Sequence, residues 1–270
     1  MRRALALLAL IAGLAGPAAA DSDLVQFRTI DDARGWEAVG RLEIGTRGFC
    51  TATLIAPDVV LTAAHCMFDA DTRERIPDVE FTFRAGLRDG RALAERTVRR
   101  SAIPQGYDYG GRDWTDGSAR DLAVLELDQP IRTPAVQPIP PLGGLLDSLE
   151  VGIVSYAHDR AEAPSLQERC GVMGSGSGVY VLTCSVDFGS SGSPVFQMDA
   201  TGAVHVAAVV SAKATLDGQR VAIGAPLGVE LEDLLSALRS GGGFQGTAPG
   251  GIRVLAPGER TDLGARFVRP

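Results

Sequence analysis

Lysine is almost missing from this chain. Of 26 basic residues in 270, only Lys213 is a lysine, and the formal net charge is −7. No basic tract exists, which argues against a nucleic-acid partner. Aromatic residues make up only 6% of the chain, and there are three histidines: His65, His158 and His205. They are scattered, and the cysteines show no C-x-x-C spacing, so a zinc site is not expected. No apolar run after the first twenty residues approaches the ~20 residues needed to span a bilayer. Other familiar motifs are absent. There is no G-x-S-x-G elbow. Val210 stands three residues before Lys213 where S-x-x-K chemistry needs serine, and Lys213 does not meet the G-K-[ST] pattern of a P-loop.

What is present begins with MRRALALLALIAGLAGPAAA. Arg2 and Arg3 supply a positive start, residues 4–16 an apolar stretch, and Ala18-Ala19-Ala20 a small-residue cleavage site. Residues 1–20 are therefore expected to be a secretory signal peptide, and the mature protein to be secreted or periplasmic with no membrane association. The remaining chain is long enough, and at 45% hydrophobic residues apolar enough, for a substantial core. Cys50, Cys66, Cys170 and Cys184 form an even set in an exported chain, so disulfides are expected. Four cysteines allow three pairings. Nearest-neighbour bridges, Cys50 with Cys66 and Cys170 with Cys184, close two short loops and are the pairing adopted.

Short apolar or alternating runs start at Val39. TATLIAP (51–57), DVVLTA (58–63), VEFTFRAGL (79–87) and LAVLEL (122–127) lie before a proline-rich stretch, TPAVQPIPPLGG. LEVGIVSY (149–156), VYVLTC (179–184), PVFQM (194–198), AVHVAAVVSA (203–212) and VAIGAPL (221–227) follow it. In VEFTFRA, Val79, Phe81, Phe83 and Ala85 alternate with polar residues, as in a half-buried strand. Residues 107–120 read as an exposed loop and GSGSG (174–178) as a hairpin tip. Leu231, Leu234, Leu235 and Leu238 fall on one helical face. These patterns imply an all-β protein with one late helix. They do not choose between two barrels and a sandwich.

Residues 187–195 read DFGSSGSPV, a loop in which Ser191 is either turn material or a nucleophile. A serine hydroxyl needs a neighbouring base, and histidine is suited to the task near neutral pH. His65 is the best candidate, because it follows a strand in VLTAAHC beside Cys66. A buried carboxylate would orient it, and Asp121 opens the apolar run DLAVLEL. His158 lies in a polar loop and reads as solvated. His205 falls within a strand and reads as packing.

VLTAAHC, DLAVLEL and GSSGSP, in that order, resemble the active-site motifs of the trypsin/chymotrypsin family of serine proteases. The GSP ending is similar to the bacterial branch that includes glutamyl endopeptidases. The resemblance covers about residues 39–238. It implies two antiparallel six-stranded β-barrels with a C-terminal helix. Residues 39–132 would form the first barrel, 133–144 a linker, and 145–240 the second barrel and helix. Residues 21–38 would be an N-terminal arm or propeptide and 241–270 a Gly-rich tail. It further implies a secreted serine endopeptidase, monomeric and without cofactor or metal, acting on protein or peptide substrates through an acyl-enzyme. His65 would be the base, Asp121 its orienter and Ser191 the nucleophile, with the N–H groups of Gly189 and Ser191 as oxyanion hole. Ser185, Ser211, Ala212 and Lys213 would line the substrate site, with Asp187 a rival charge nearby. The alternative is a catalytically silent binding module on the same fold.

The sequence departs from the family at one place that matters. Many members carry an aspartate immediately before the nucleophile, where it pairs with a newly cut N-terminus. Here Ser190 occupies that position, and no matching N-terminal motif is present. The loop must be held another way, either by a Ser190 side-chain hydrogen bond or through removal of residues 21 to about 38.

Overall fold

A computed structural model describes residues 21–111, 114–146 and 148–241. The expected signal peptide, the tail beyond residue 241 and the strand considered at 252–256 lie outside these residues. Thirteen strands and two α-helices account for about half of the described residues, most of it strand. Among the described residues no helix is long and apolar enough to cross a membrane.

The first barrel uses β2 (Val39–Ile44), β3 (Gly48–Ala56), β4 (Val59–Thr62), β5 (Phe81–Ala85), β6 (Ala94–Ala102) and β7 (Ala123–Leu127). Antiparallel pairing in the order β2-β3-β4-β7-β6-β5 closes the sheet on itself. Closure leaves no free edge. Alternation supplies the core: Leu42, Leu54, Leu61, Phe81, Phe83 and Leu125 are fully buried inside. Each such side chain contributes roughly 1.5–3 kcal/mol relative to exposure.

The second barrel uses β8 (Glu150–Ser155), β9 (Ser165–Gly176), β10 (Val179–Leu182), β11 (Pro194–Met198), β12 (Val204–Leu216) and β13 (Gln219–Pro226). The order β9-β10-β13-β12-β11-β8 closes through a β8–β9 pairing. A three-residue strand, β1 (Leu24–Gln26), adds to the outer side of β9. The architecture is therefore two six-stranded antiparallel barrels, and the sandwich alternative is removed. Helix α2 (Gly228–Arg239) buries Leu231, Leu234 and Leu238 and packs on β6 and β7, bringing the C-terminal end of the second half back to the first barrel. The proline-rich linker is pinned on both sides. Ile139 N–H donates to Leu54 O at 3.0 Å, and Leu142 N–H to Val206 O at 2.7 Å.

Two local expectations need correction, and a third holds. Residues 107–120 are not simply an exposed loop: Trp114–Ala119 forms a short helix, α1, and Tyr107 is half-buried. Val79 does not belong to the buried face of a strand. Asp78–Glu80 forms a 3₁₀ turn ahead of β5, and Val79 is 53% exposed. The reason is Asp78, which is buried and accepts a hydrogen bond from Ser101 Oγ at 2.5 Å, pulling the chain out of strand geometry. The GSGSG segment is the tip of the β9–β10 hairpin, as expected: β9 runs to Gly176, which pairs with Val179, and the turn itself is Ser177 and Gly178, both with positive φ.

Candidate active site

His65 sits in a 3₁₀ turn, Ala64–Met67, that follows β4 directly. The Cys50–Cys66 disulfide, with Cα atoms 6.4 Å apart, ties this turn to β3. Cys170–Cys184 is the second bridge, so both expected pairings are present. Asp121 lies just before β7, the strand that pairs with β4, and is 2% exposed. Adjacent strands thus present the imidazole and the carboxylate side by side.

The pair is held at two points. The His65 backbone N–H donates to Asp121 Oδ1 at 2.8 Å, and His65 Nδ1 lies 2.7 Å from Oδ2. Two further hydroxyls reach the same carboxylate. Ser211 Oγ donates to Oδ2 at 2.5 Å, and Tyr107 Oη donates to Oδ1 at 3.1 Å. Burial opposes ionisation of Asp121. The adjacent His65 and the donated hydrogen bonds outweigh it and hold the carboxyl below its ordinary range. Burial likewise opposes a charge on His65, but the Asp121 carboxylate overrides this and raises the imidazole above its usual value.

Ser191 comes from the other barrel, in the turn that precedes β11. Its carbonyl accepts a hydrogen bond from Thr51 N–H at 2.8 Å. Gly192, with φ +80°, packs so closely that an added Cβ would lie 2.1 Å from Thr62 Oγ1 and 2.2 Å from Thr51 O. Only glycine fits this approach. Thr62 is three residues before His65, so the contact brings the Ser191 turn onto the His65 strand. Gly189 has φ +94°, and a Cβ there would meet the Phe49 ring at 2.6 Å. Ser191 Oγ and His65 Nε2 share no hydrogen bond. The backbone N–H groups of Gly189 and Ser191 have no acceptor among the described residues.

Ser190 is fully buried. Its hydroxyl donates to Tyr156 O at 3.2 Å and accepts from Asp187 N–H at 3.3 Å and from Arg160 Nη2 at 3.4 Å. A side-chain hydrogen-bond network therefore occupies the place of the missing aspartate.

The residues expected to line a substrate site divide. Ser211, Ala212 and Lys213, on β12, line a cavity of about 160 Å³ beside Ser191, together with Val186, Asp187, Phe188 and Val210. Ser185 does not line it. Ser185 is exposed, its N–H bonded to Gln167 Oε1, and it borders an adjoining cavity of about 500 Å³. Lys213 does not present a free charge: its ammonium lies 2.8 Å from Asp187 and 3.8 Å from the Phe188 ring centroid. That ion pair joins the two walls of the cavity.

Sequence reasoning missed two participants. Tyr107 carried no signal beyond its aromatic, Gly-rich setting. Thr51 bridges the barrels. Its Oγ1 accepts from Tyr156 N–H at 3.0 Å and donates to Gly189 O at 2.8 Å.

Two closed barrels, with a histidine–carboxylate pair on one and a serine turn from the other packed against it, define the chymotrypsin-like class of serine endopeptidases. The chain belongs to the family of trypsin-like peptidase domains, whose model matches residues 50–206. It is 39% identical over 89 residues to a modular serine protease of Drosophila melanogaster, a match spanning 30% of this chain and 13% of that relative. Among solved structures it is similar to a Glu endopeptidase in complex with MPD. The TM-score is 0.64 and the identity 19%, covering 82% of this chain and 98% of that one. It is similar also to the scabies mite inactivated protease paralogue S-D1, with a TM-score of 0.62 and 14% identity over 83% and 98% of the two chains. At these identities the two structures speak for the fold alone.

Proposed function

We propose that this protein is an exported, catalytically active serine endopeptidase working through His65, Asp121 and Ser191. His65 Nε2 takes the Ser191 proton as Oγ attacks a peptide carbonyl. Asp121 keeps Nδ1–H pointed at itself and stabilises the imidazolium that forms. The oxygen of the tetrahedral intermediate is received by the N–H groups of Gly189 and Ser191, each such donor being worth ~3–4 kcal/mol of barrier. The intermediate collapses, His65 protonates the leaving amine, and water then releases the acyl group from Ser191 along the reverse proton path.

The observation that carries this reading is the His65–Asp121 pair: a buried carboxylate, fully satisfied with hydrogen bonds, fixed 2.7 Å from one ring nitrogen. A histidine that merely packed would not need an ionised partner under it, since burying a charge is costly unless it is paired. The unpartnered N–H groups of Gly189 and Ser191 support the same reading. The two disulfides support an oxidising compartment and hence export.

The second reading is a silent binding module on the same fold, and the missing hydrogen bond between Ser191 Oγ and His65 Nε2 is the observation on its side. Hydrolysis of an unfolded protein substrate separates the two. The purified protein is expected to cut it, with Ser191→Ala and His65→Ala each lowering the rate by roughly 10⁴-fold or more. Absence of cleavage across diverse peptides would favour the silent module.

A further inference from the structure

Asp121 accepts four hydrogen bonds, two on each oxygen. The His65 ring and Ser211 serve Oδ2, while the His65 backbone N–H and the Tyr107 hydroxyl serve Oδ1. Three of these donors belong to the turn that carries His65 or to the strand lining the substrate cavity. The fourth comes from a different element altogether, the segment between β6 and α1. We propose that Tyr107 is a positioning residue for the base: it fixes the Asp121 carboxylate and, by drawing on its charge, limits how far that carboxylate raises the basicity of His65. The proposal rests on the reading of His65 as the general base.

The segment is built to hold the hydroxyl in place. Tyr107 N–H donates to Pro104 O at 3.1 Å, and Arg120 Nη2 donates to Gln105 O at 2.5 Å. The Tyr107 ring lies 5.8 Å from the Phe68 ring, which also stacks on Tyr109 at 5.2 Å. Phe68 is the C-terminal neighbour of the turn that bears His65, so the aromatic trio ties the segment to the base itself. Tyr107, His65 and Asp121 together border a cavity of about 200 Å³. The phenol is protonated throughout the working range. Burial, then the adjacent Asp121, push its ionisation far above the ordinary tyrosine value, with Tyr109 and Asp108 adding to the effect. It is therefore a permanent donor.

The electrostatic consequence has a definite sign. A donor on a carboxylate oxygen stabilises the negative charge and weakens its pull on a neighbouring proton. Without it, Asp121 stabilises the His65 imidazolium more strongly, and the imidazole pKa rises. The ionisable groups sharing the cavity are His65, Asp121, Asp108, Tyr109 and Tyr107 itself. The other elements contribute neutral groups, Gly117 and Ser118 from α1 and Ser211 from β12. Among the described residues Asp108 is the only other carboxylate lining it, and it is present equally in wild type and variant.

The test is Tyr107→Phe, which removes the hydroxyl and keeps the ring. The His65 imidazole is titrated by NMR in a Ser191→Ala background, where no turnover is needed. The expected result is an upward shift of about 0.3–1 pH unit relative to the parent, with Tyr109→Phe leaving the titration in place. In the active protein the acid limb of kcat/KM should move up by the same amount, KM staying nearly constant. An unchanged or lowered imidazole pKa in Tyr107→Phe would overturn the proposal. The titration reads out in a protein with no activity, so failure of the protease reading would appear separately, as missing hydrolysis.

Discussion

Thr51 of the first barrel donates its backbone N–H to the carbonyl of Ser191 in the second, at 2.8 Å. The same residue's hydroxyl holds Gly189 O and Tyr156 N–H, and its own carbonyl accepts from Thr62 Oγ1 at 2.9 Å. One buried threonine therefore sets the height of the Ser191 turn relative to the strand that leads into His65. Thr51 and Ser191 lie 140 positions apart in the chain, and Thr51 is next to Cys50, whose disulfide reaches the His65 turn.

Thr51→Val removes the hydroxyl at nearly constant volume. It leaves the Gly189 carbonyl and the Tyr156 N–H buried and unpaired, at about 1–3 kcal/mol each. The expected outcome is a lower urea midpoint and a fall in kcat of about tenfold, with Thr51→Ser recovering most of both. Equilibrium unfolding and steady-state kinetics on the three proteins check this. Valine behaving like the parent would mean that the turn is held without the cross-barrel bonds.

The pH dependence follows from the direction of the His65 shift. The base must be neutral, so kcat/KM is lost as pH falls through the imidazole pKa. Asp121 raises that pKa above the ordinary value of 6.5, so the acid limb is expected above 6.5 rather than below it. Asp121→Asn removes both the charge and the tautomer control. It is expected to lower kcat by roughly 10⁴-fold and bring the limb down. A pH series of kcat/KM on the two proteins gives the answer.

The N-terminal arm is expected to remain part of the mature, stable protein. Phe27 is buried in the core cluster shared with the first barrel, and its N–H donates to Pro164 O at 3.0 Å. Trp36 packs on Phe196 with ring centroids 4.4 Å apart. Phe27→Ala should cost ~3–5 kcal/mol and lower the melting temperature by roughly 6–20 °C. Calorimetry of this variant, and of a chain beginning at residue 39, tests the point. A chain from residue 39 as stable as the longer one would mark 21–38 as dispensable, as a propeptide is.

Part of the fold was legible because strands alternate: FTFRA of β5 shows its buried face directly, with Phe81, Phe83 and Ala85 inside, and the leucines of α2 show theirs. DLAVLEL was legible instead as a short apolar run, buried on both faces except at Glu126. Strands β2, β6 and β9 were harder to see. In β6, AERTVRRSA, the outward side chains are charged and form ion pairs across strands, Arg84 with Glu95 and Arg100 with Glu126. A register shift between Val98 and Arg100 also breaks the alternation. At the site, His65, Asp121 and Ser191 stood out because each sits in a compact motif of unusual composition. Thr51, Tyr107 and the bond from Ser211 to Asp121 did not. Their significance lies in hydrogen bonds to residues 14 to 138 positions away, which no local pattern encodes. The Lys213–Asp187 pair belongs with them: either residue alone reads as a pocket charge, and only their contact shows both neutralised.

The central claim is that Ser191 is a nucleophile activated by His65. Reaction with a fluorophosphonate, followed by peptide mass mapping, tests it most directly. The expected result is a single stoichiometric adduct on Ser191, formed fastest above the acid limb and lost in His65→Ala. No adduct on Ser191 in the folded protein, or one formed equally well without His65, would contradict the account.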